Sequence, residues 1–264
     1  TNLKRGKASG NELDSLDIFI KILATNARRR KARKDILYKT EVLSQFFTII
    51  ANGTVPQRIK SILRTTYMVA FHKDITDKTK LRPLGIPSAI RRITAVAILH
   101  KFKGDFATHL LPFNYAFGVN GGINIITSTM RLGVEQYMHD DNSIDGKLPS
   151  RALVSLDIRN MFNAISREKM RELIFIHFPE LEPFADCLYD DFGQTLIKRS
   201  DGTFESIPVE EGFSQGCPAS PVFAALVLNR ILQKVYADML TTVKDRVAKY
   251  DTGDDGRGGV PIIM

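Results

Sequence analysis

One acid stands at the end of a short apolar segment near the middle of the chain. Residues 153–156 are mainly apolar, Asp157 follows them, and Ser166 is a polar start signal for a helix further on. The pattern predicts a strand that ends in a carboxylate and leads towards a helix. An acid beside a packed sheet is costly to bury unless a cation neutralises it, so Asp157 is a candidate metal ligand. An aspartate that caps the next turn or helix is the alternative.

A second segment whose residues could bind a ligand, residues 214–221, reads Ser-Gln-Gly-Cys-Pro-Ala-Ser-Pro and precedes a long apolar helical pattern. Gly216 permits the close approach of another group, and Gln215 can form hydrogen bonds with a ligand. Pro218 suits the first turn of the helix that follows. A plain turn between hairpin and helix, capped by Ser214, is the alternative, and the two interpretations can coexist.

Periodicity predicts the elements that position these segments. Helices are expected over residues 11–52, 88–110 and 123–138, and strands over residues 67–71, 80–86, 194–198 and 203–209. Asn52-Gly53 and Pro112 are stop signals for the first two helices, and Asp201-Gly202 is a strong signal for a hairpin turn.

Charge is unevenly distributed along the chain. Residues 1–100 hold 20 Lys and Arg against 7 Asp and Glu, and the remainder holds 17 against 22, which together give the net charge of +8. This distribution favours one surface that holds phosphates and another that holds cations. The densest basic run begins with Arg28, Arg29, Arg30 and Lys31. A solvated basic face is the alternative interpretation of that run.

Composition also excludes some classes of protein. The hydrophobic content of 44% is ample for a core, but no apolar run is long enough to cross a bilayer and the first residues lack the apolar stretch of a secretory signal. Cys187 and Cys217 have no metal-type spacing. We therefore expect an intracellular protein of the nucleus or cytoplasm, neither secreted nor bound to a membrane.

Four motifs together resemble those of a known family. They are Asp-x-x-x-x-Phe (Asp157 and Phe162), the segment 214–221, Lys-Leu-Arg-Pro-Leu-Gly-Ile-Pro at 80–87, and Tyr-Ala-Phe-Gly-Val-Asn-Gly-Gly at 115–122. In this order they resemble the fingers and palm motifs of reverse transcriptases, especially those of non-LTR retroelements. Four matches in the family's order are far more specific than any one of them.

The resemblance implies an α+β fold, the fingers and palm portion of a right-hand polymerase, with an antiparallel palm sheet backed by helices. The expected organisation is a basic helical segment over residues 1–66, fingers over 67–150 and palm over 151–264. The polar stretch 140–150, with its glycine and proline, is the expected boundary before the palm.

The resemblance also implies an activity, which is the addition of deoxynucleoside triphosphates to a DNA primer on an RNA template with two Mg²⁺ ions. Lys73 and Arg82 would contact the triphosphate, Gln215 and Gly216 would lie beside the nascent base pair, and Phe162 would be a steric gate against a 2′ hydroxyl. Two exposed hairpin cations and an ordinary core phenylalanine are the alternatives.

Contacts with nucleic acid are expected from the basic run, from Arg91 and Arg92 near the start of a predicted helix, and from the glycine loop that contains Gly121 and Gly122. Glycines allow a nucleic-acid backbone to approach closely. A turn between two helices explains the same glycines equally well.

One family motif is missing. The remaining metal ligands of the family are an Asp-Asp pair, commonly Tyr-x-Asp-Asp, and no such motif follows residue 221. We therefore expect a chain truncated before that motif, with thumb absent, and inactive alone. Gly253-Asp254-Asp255-Gly256 resembles the Gly-Asp-Asp of RNA-dependent RNA polymerases, but its polar and glycine-rich surroundings predict a surface loop. A viral-type RNA polymerase, a relative of group II intron or retron enzymes, and a non-catalytic remnant that binds nucleic acid stay open as alternatives.

Overall fold

The computed structural model describes residues 33–72, 76–77, 81–139 and 155–250, with backbone alone for 33–40, 82, 137–139 and 242–250. The helices are α1 (Arg33–Ala51), α2 (Gln57–Arg64), α3 (Ala89–Lys101), α4 (Lys103–Leu110), α5 (Gly122–His139), α6 (Met161–Ala164), α7 (Arg167–His177), α8 (Glu182–Tyr189) and α9 (Ser220–Tyr250). The strands are β1 (Thr65–His72), β2 (Leu81–Pro87), β3 (Gly193–Lys198) and β4 (Phe204–Val209).

The four strands form one sheet in the order β2-β1-β3-β4. Both predicted hairpins pair antiparallel, with Phe71 opposite Arg82 in the first and Leu196 opposite Ser206 in the second. A parallel pair, β1 with β3, joins the hairpins and places Thr66 opposite Thr195. Parallel neighbours need a long connection, and here it runs through β2 and the helices from α3 to α8. The α+β class is therefore confirmed, with a mixed sheet rather than a wholly antiparallel one.

Local sequence signals account for several element ends. α1 stops before Gly53, whose φ of 64° is the left-handed conformation that glycine adopts easily. The Ser166 hydroxyl accepts a hydrogen bond from the backbone N–H of Lys169 at 3.2 Å and so caps α7, as predicted. In the second hairpin, Asp201 accepts from Thr203, which lowers the pKa of this aspartate, and Gly202 has a φ of 85°.

Two predicted elements differ from the structure. The helix expected over residues 88–110 is divided at Phe102 into α3 and α4. The prediction of a strand that ends at Asp157 is wrong for residues 155–158, which are exposed and have no regular structure. A strand is stable only when its backbone groups pair with a neighbour, and the four described strands pair with one another. The helix predicted over residues 11–32 and the boundary at 140–150 lie outside the described residues.

The chain divides into two compact units, and the boundaries expected from the sequence stay a prediction. The described part of the first unit is residues 33–101 and 161–224, which includes the whole sheet. The second comprises 102–160 and 225–264 as far as they are described, and its core places Phe106 edge to face against Phe117. Within the described residues, no helix is long and apolar enough to span a membrane.

Arg64, the last residue of α2, connects that helix to α8 inside the first unit. Its side chain is buried and donates to the carbonyls of Cys187 at 3.0 Å and Asp186 at 3.2 Å. It also forms ion pairs with Asp190 and Asp191. Burial lowers the pKa of Arg64, and the charge of Asp191 opposes that shift. The last carbonyls of a helix have few partners within it, and Arg64 supplies a donor to the Cys187 carbonyl and a second donor to that of Asp186, which also accepts the Asp190 N–H.

Arg64→Met should therefore lower the free energy of unfolding by about 3 to 5 kcal/mol, because it removes the guanidinium that pairs with the Cys187 carbonyl and with the partly buried Asp190 carboxylate. The matched control is Arg171→Met. Arg171 pairs with Asp186 at 2.7 Å, but its side chain is 41% exposed, so the loss should stay below about 1 kcal/mol. Urea unfolding followed by circular dichroism measures both. Equal losses in the two variants would contradict the role assigned to Arg64.

Candidate functional site

The loop that joins β4 to α9 carries the Ser-Gln-Gly motif and lies against strand β2. The backbone N–H of Gly216 donates to the Gly85 carbonyl at 3.0 Å, and the Ser214 hydroxyl donates to the same oxygen at 2.5 Å. One carbonyl of the first hairpin thus accepts two hydrogen bonds from a loop about 130 residues away in the sequence.

Glycine is required at residue 216 and fits tightly at residue 85 on the other side of this contact. A Cβ on residue 216 would collide with the Gly85 carbonyl oxygen and lie 3.2 Å from the Cα of Ile86. A Cβ on residue 85 would lie 3.0 Å from the Ser214 Oγ. The close approach that the sequence predicts at Gly216 is therefore made, in this structure, by the chain's own strand.

Two details of the predicted turn are wrong. Ser214 does not cap the following helix, because α9 begins only at Ser220 and the Ser214 hydroxyl is directed to strand β2. Pro218 precedes the helix, and Pro221 occupies its first turn instead. Proline at that position is favourable, since the N–H it lacks would have no partner within the helix.

The same loop also contacts the segment that follows Asp157. The backbone N–H of Phe213 donates to the Phe162 carbonyl at 2.6 Å, and that of Gly212 donates to the Ile165 carbonyl at 3.1 Å. Gly212 has a φ of 73°, and a Cβ there would meet the Asn163 carbonyl at 2.5 Å. The structure therefore brings together Phe162, half-buried, and the loop that contains Gln215.

Asp157 itself belongs to the second unit and is exposed. Within the described ranges, no three His, Cys, Asp or Glu side chains come together in a way that could hold a metal ion. Two-cation catalysis needs several carboxylates around both ions. The described residues offer Asp157 alone among the predicted ligands, so they do not by themselves fit a complete site.

Several other predicted site residues lie outside the described part. Lys73 and the basic run 28–31 are among them, and Arg82 is described only by its backbone in β2, opposite Phe71. The surface loop predicted at Asp254 and Asp255 also lies outside the described residues. The contacts proposed for Lys73, Arg82 and the basic run stay predictions.

The glycines of the predicted nucleic-acid loop have a structural reason. Gly121 has a φ of 68°, and Gly122 begins α5. A Cβ on residue 122 would collide with the carbonyl of Tyr115. These contacts correspond to the interpretation as a turn before a helix, while contact with nucleic acid stays a prediction.

Arg91 is buried, whereas a side chain that contacts a nucleic-acid backbone must lie at the surface. Its side chain is 2% exposed and donates to the Leu63 carbonyl at 3.1 Å and to the Tyr189 hydroxyl at 2.7 Å. Arg92 is half-buried. Arg91 thus connects α2, α3 and α8, a role that the sequence interpretation missed.

A cluster of arginines surrounds Tyr189 in the first unit. The guanidinium carbons of Arg91 and Arg167 lie 5.2 Å and 5.4 Å from the centre of the Tyr189 ring. Arg167 also donates to the carbonyls of Gly212 at 2.8 Å and Val209 at 3.0 Å. It therefore connects the last residue of β4 to the loop that follows the strand. Together with Arg64, these arginines line a cavity of about 220 Å³, the arginine cavity.

The electrostatics of this cluster follow from burial. Burial raises the pKa of Tyr189, so its hydroxyl is neutral at physiological pH, although Arg91 opposes the shift. Burial lowers the pKa of Arg167. For Arg91 burial acts in the same direction, but the neighbouring Cys217 and Tyr189 outweigh it and raise the pKa. All three arginines are therefore cations at neutral pH.

The loop with the Ser-Gln-Gly motif thus contacts two other motifs that are distant in sequence. It bonds to the carbonyl of Gly85, in the motif at 80–87, and to the carbonyl of Phe162. A comparison with curated proteins finds no match. A family model described as "Reverse transcriptase (RNA-dependent DNA polymerase)" matches residues 72–250, well over half of the chain. The chain therefore belongs to the reverse transcriptase family.

Proposed function

We propose that this chain is part of a retroelement polyprotein of the non-LTR type, in which it extends the 3′ hydroxyl of a DNA primer with deoxynucleotides on an RNA template. Membership of the family gives the general activity, RNA-dependent DNA polymerisation. The observation that carries the proposal is the pair of hydrogen bonds from the loop, Phe213 N–H to the Phe162 carbonyl and Gly216 N–H to the Gly85 carbonyl. They gather three family motifs at one place.

The family resemblance supplies the roles proposed for individual residues. Gln215 is half-buried, next to the anchored Ser214, and its amide is proposed to bind the template or the nucleotide beside the nascent base pair. Arg82, in β2, and Lys73, just after β1, are proposed to bind the triphosphate, since arginine offers paired planar donors and lysine a mobile point charge.

Reverse transcriptase domains generally use divalent metal ions, and Mg²⁺ is the ion proposed here, with Asp157 as one ligand. The sequence after residue 221 has no aromatic-x-Asp-Asp motif. We therefore propose that the 264-residue chain alone does not polymerise. Nucleus or cytoplasm is the proposed location.

Primer extension on an RNA template with Mg²⁺ tests this. The chain alone should give no product, whereas a polypeptide in which the family's aromatic-x-Asp-Asp segment follows these residues should extend the primer. In that polypeptide Asp157→Asn should abolish extension, and Asp201→Asn, in a hairpin turn, should not. Extension by the chain alone that is lost in Asp157→Asn and in Asp255→Asn would instead make Asp255 a metal ligand. A longer polypeptide that binds nucleic acid but never extends a primer would favour the non-catalytic alternative.

Phe162 is proposed to discriminate against ribonucleotides, because its half-buried position beside the motif loop suits a flat ring packed against the sugar. In the extended polypeptide, Phe162→Val should raise ribonucleotide incorporation much more than it lowers deoxynucleotide incorporation. Phe162→Tyr, which keeps the ring, is the control and should retain discrimination. Ratios of kcat/KM for the two substrates give the answer, and a parallel loss for both would make Phe162 a packing residue.

Binding of an RNA–DNA hybrid should be salt-sensitive even without catalysis, because phosphate contacts release counterions. Changing Arg28, Arg29, Arg30 and Lys31 to Gln should weaken binding and reduce the slope of log K against log salt by roughly one for each phosphate interaction that the change removes. The matched control removes four exposed, ion-paired cations elsewhere, Lys101, Arg131, Lys169 and Arg199. Fluorescence anisotropy measures both. Equal slopes in the two variants would show that the basic run is only a solvated face.

A further inference from the structure

We propose that the arginine cavity binds a small oxyanion of the phosphate class, at a site built from residues other than Lys73 and Arg82. The cavity lies wholly in the first unit, between the sheet and the buried ends of α2, α3, α7 and α8. This inference does not rest on the polymerase activity proposed above.

The first argument is charge. Among the described residues that line the cavity, Arg64, Arg91 and Arg167 are cations and Glu211 is the one carboxylate. Arg64 has ion pairs with Asp190 and Asp191. Glu211 offsets one of the two charges on Arg91 and Arg167, so the lining keeps a net positive charge that an anion in the cavity would offset.

The second argument is the incomplete hydrogen bonding of Arg91. Its described partners are the Leu63 carbonyl, the neutral Tyr189 hydroxyl and the Cys217 side chain, and its buried Nε has no hydrogen-bond partner among the described residues. A buried guanidinium is stable only when it is paired and its donors are used. An oxyanion in the cavity that this side chain lines would supply both a charge and an acceptor.

The third argument is the rest of the lining, which carries neutral groups able to donate. Thr66 and Thr195 face each other across the parallel strand pair, with their hydroxyl oxygens 3.0 Å apart, and Gln194 and Gln215 are also among the residues that line the cavity. A volume of about 220 Å³ is well above what one water molecule needs. A tetrahedral oxyanion, which accepts hydrogen bonds in several directions, suits separate donors better than a flat carboxylate, which takes one bidentate partner.

Gln194 offers a test that spares the core, because it lines the cavity yet lies exposed on β3. Gln194→Glu places a negative charge beside the proposed anion and should weaken binding roughly tenfold, whereas Gln194→Lys should strengthen it. Ser206→Glu is the matched control, since Ser206 is exposed on β4 and does not line the cavity. It adds the same charge to the same sheet and should leave the affinity unchanged.

Isothermal titration calorimetry of the 264-residue chain with sodium phosphate, at constant ionic strength and with acetate in parallel, measures the affinities. Pyrophosphate and a short 5′-phosphorylated oligonucleotide form the other arms. If free phosphate binds most tightly to Gln194→Lys, less tightly to the unchanged chain and least tightly to Gln194→Glu, the result supports a free anion as the ligand. The same order seen only with the oligonucleotide supports a strand phosphate. Absence of binding in every arm, equal effects of Gln194→Glu and Ser206→Glu, or tighter binding of acetate than of phosphate would overturn the proposal.

Discussion

The carbonyl oxygen of Gly85 is the acceptor on which the arrangement of the motifs depends. It receives the Ser214 hydroxyl and the Gly216 N–H, and these two bonds fix the motif loop to the first hairpin. The contact depends on the absence of a side chain at residue 216, since a Cβ there would collide with the Gly85 carbonyl, and a Cβ on residue 85 would lie 3.0 Å from the Ser214 Oγ. The position of Gln215, between the two donors, is therefore set by backbone packing before any substrate binds.

Buried arginines complete the backbone hydrogen bonding around that contact. Arg64 donates to carbonyls near the end of α8, Arg91 to the carbonyl of Leu63 in α2, and Arg167 to the carbonyls of Val209, the last residue of β4, and Gly212. These carbonyls lie at or near the ends of elements, where the regular pattern leaves some acceptors without a partner. A guanidinium carries five donors on a rigid plane, so one side chain can satisfy acceptors from different elements. The cost is a concentration of positive charge inside the first unit.

The features that could be predicted from the sequence are those that depend on neighbours in the chain. The turn at Gly202, the cap at Ser166 and the stop before Gly53 each rest on the conformational preference of one or two residues. The strand predicted before Asp157 was wrong because a strand also depends on a partner, which lies elsewhere in the sequence. The burial of Arg91 was missed for a related reason, since periodicity identifies apolar faces and says nothing about which charged residue finds internal acceptors.

Within residues 212–216, the residues needed to build the loop can be separated from the residue that is available to bind a ligand. Gly212 is required by its contact with Asn163, Gly216 by its contact with Gly85, and Ser214 by its hydrogen bond. Phe213 is buried in the first unit, edge to face with Tyr189. These residues would be needed to build the loop even if it touched no substrate. Gln215 is half-buried and has no such structural requirement in the described contacts, which makes its amide the part of the loop best placed to act on a ligand.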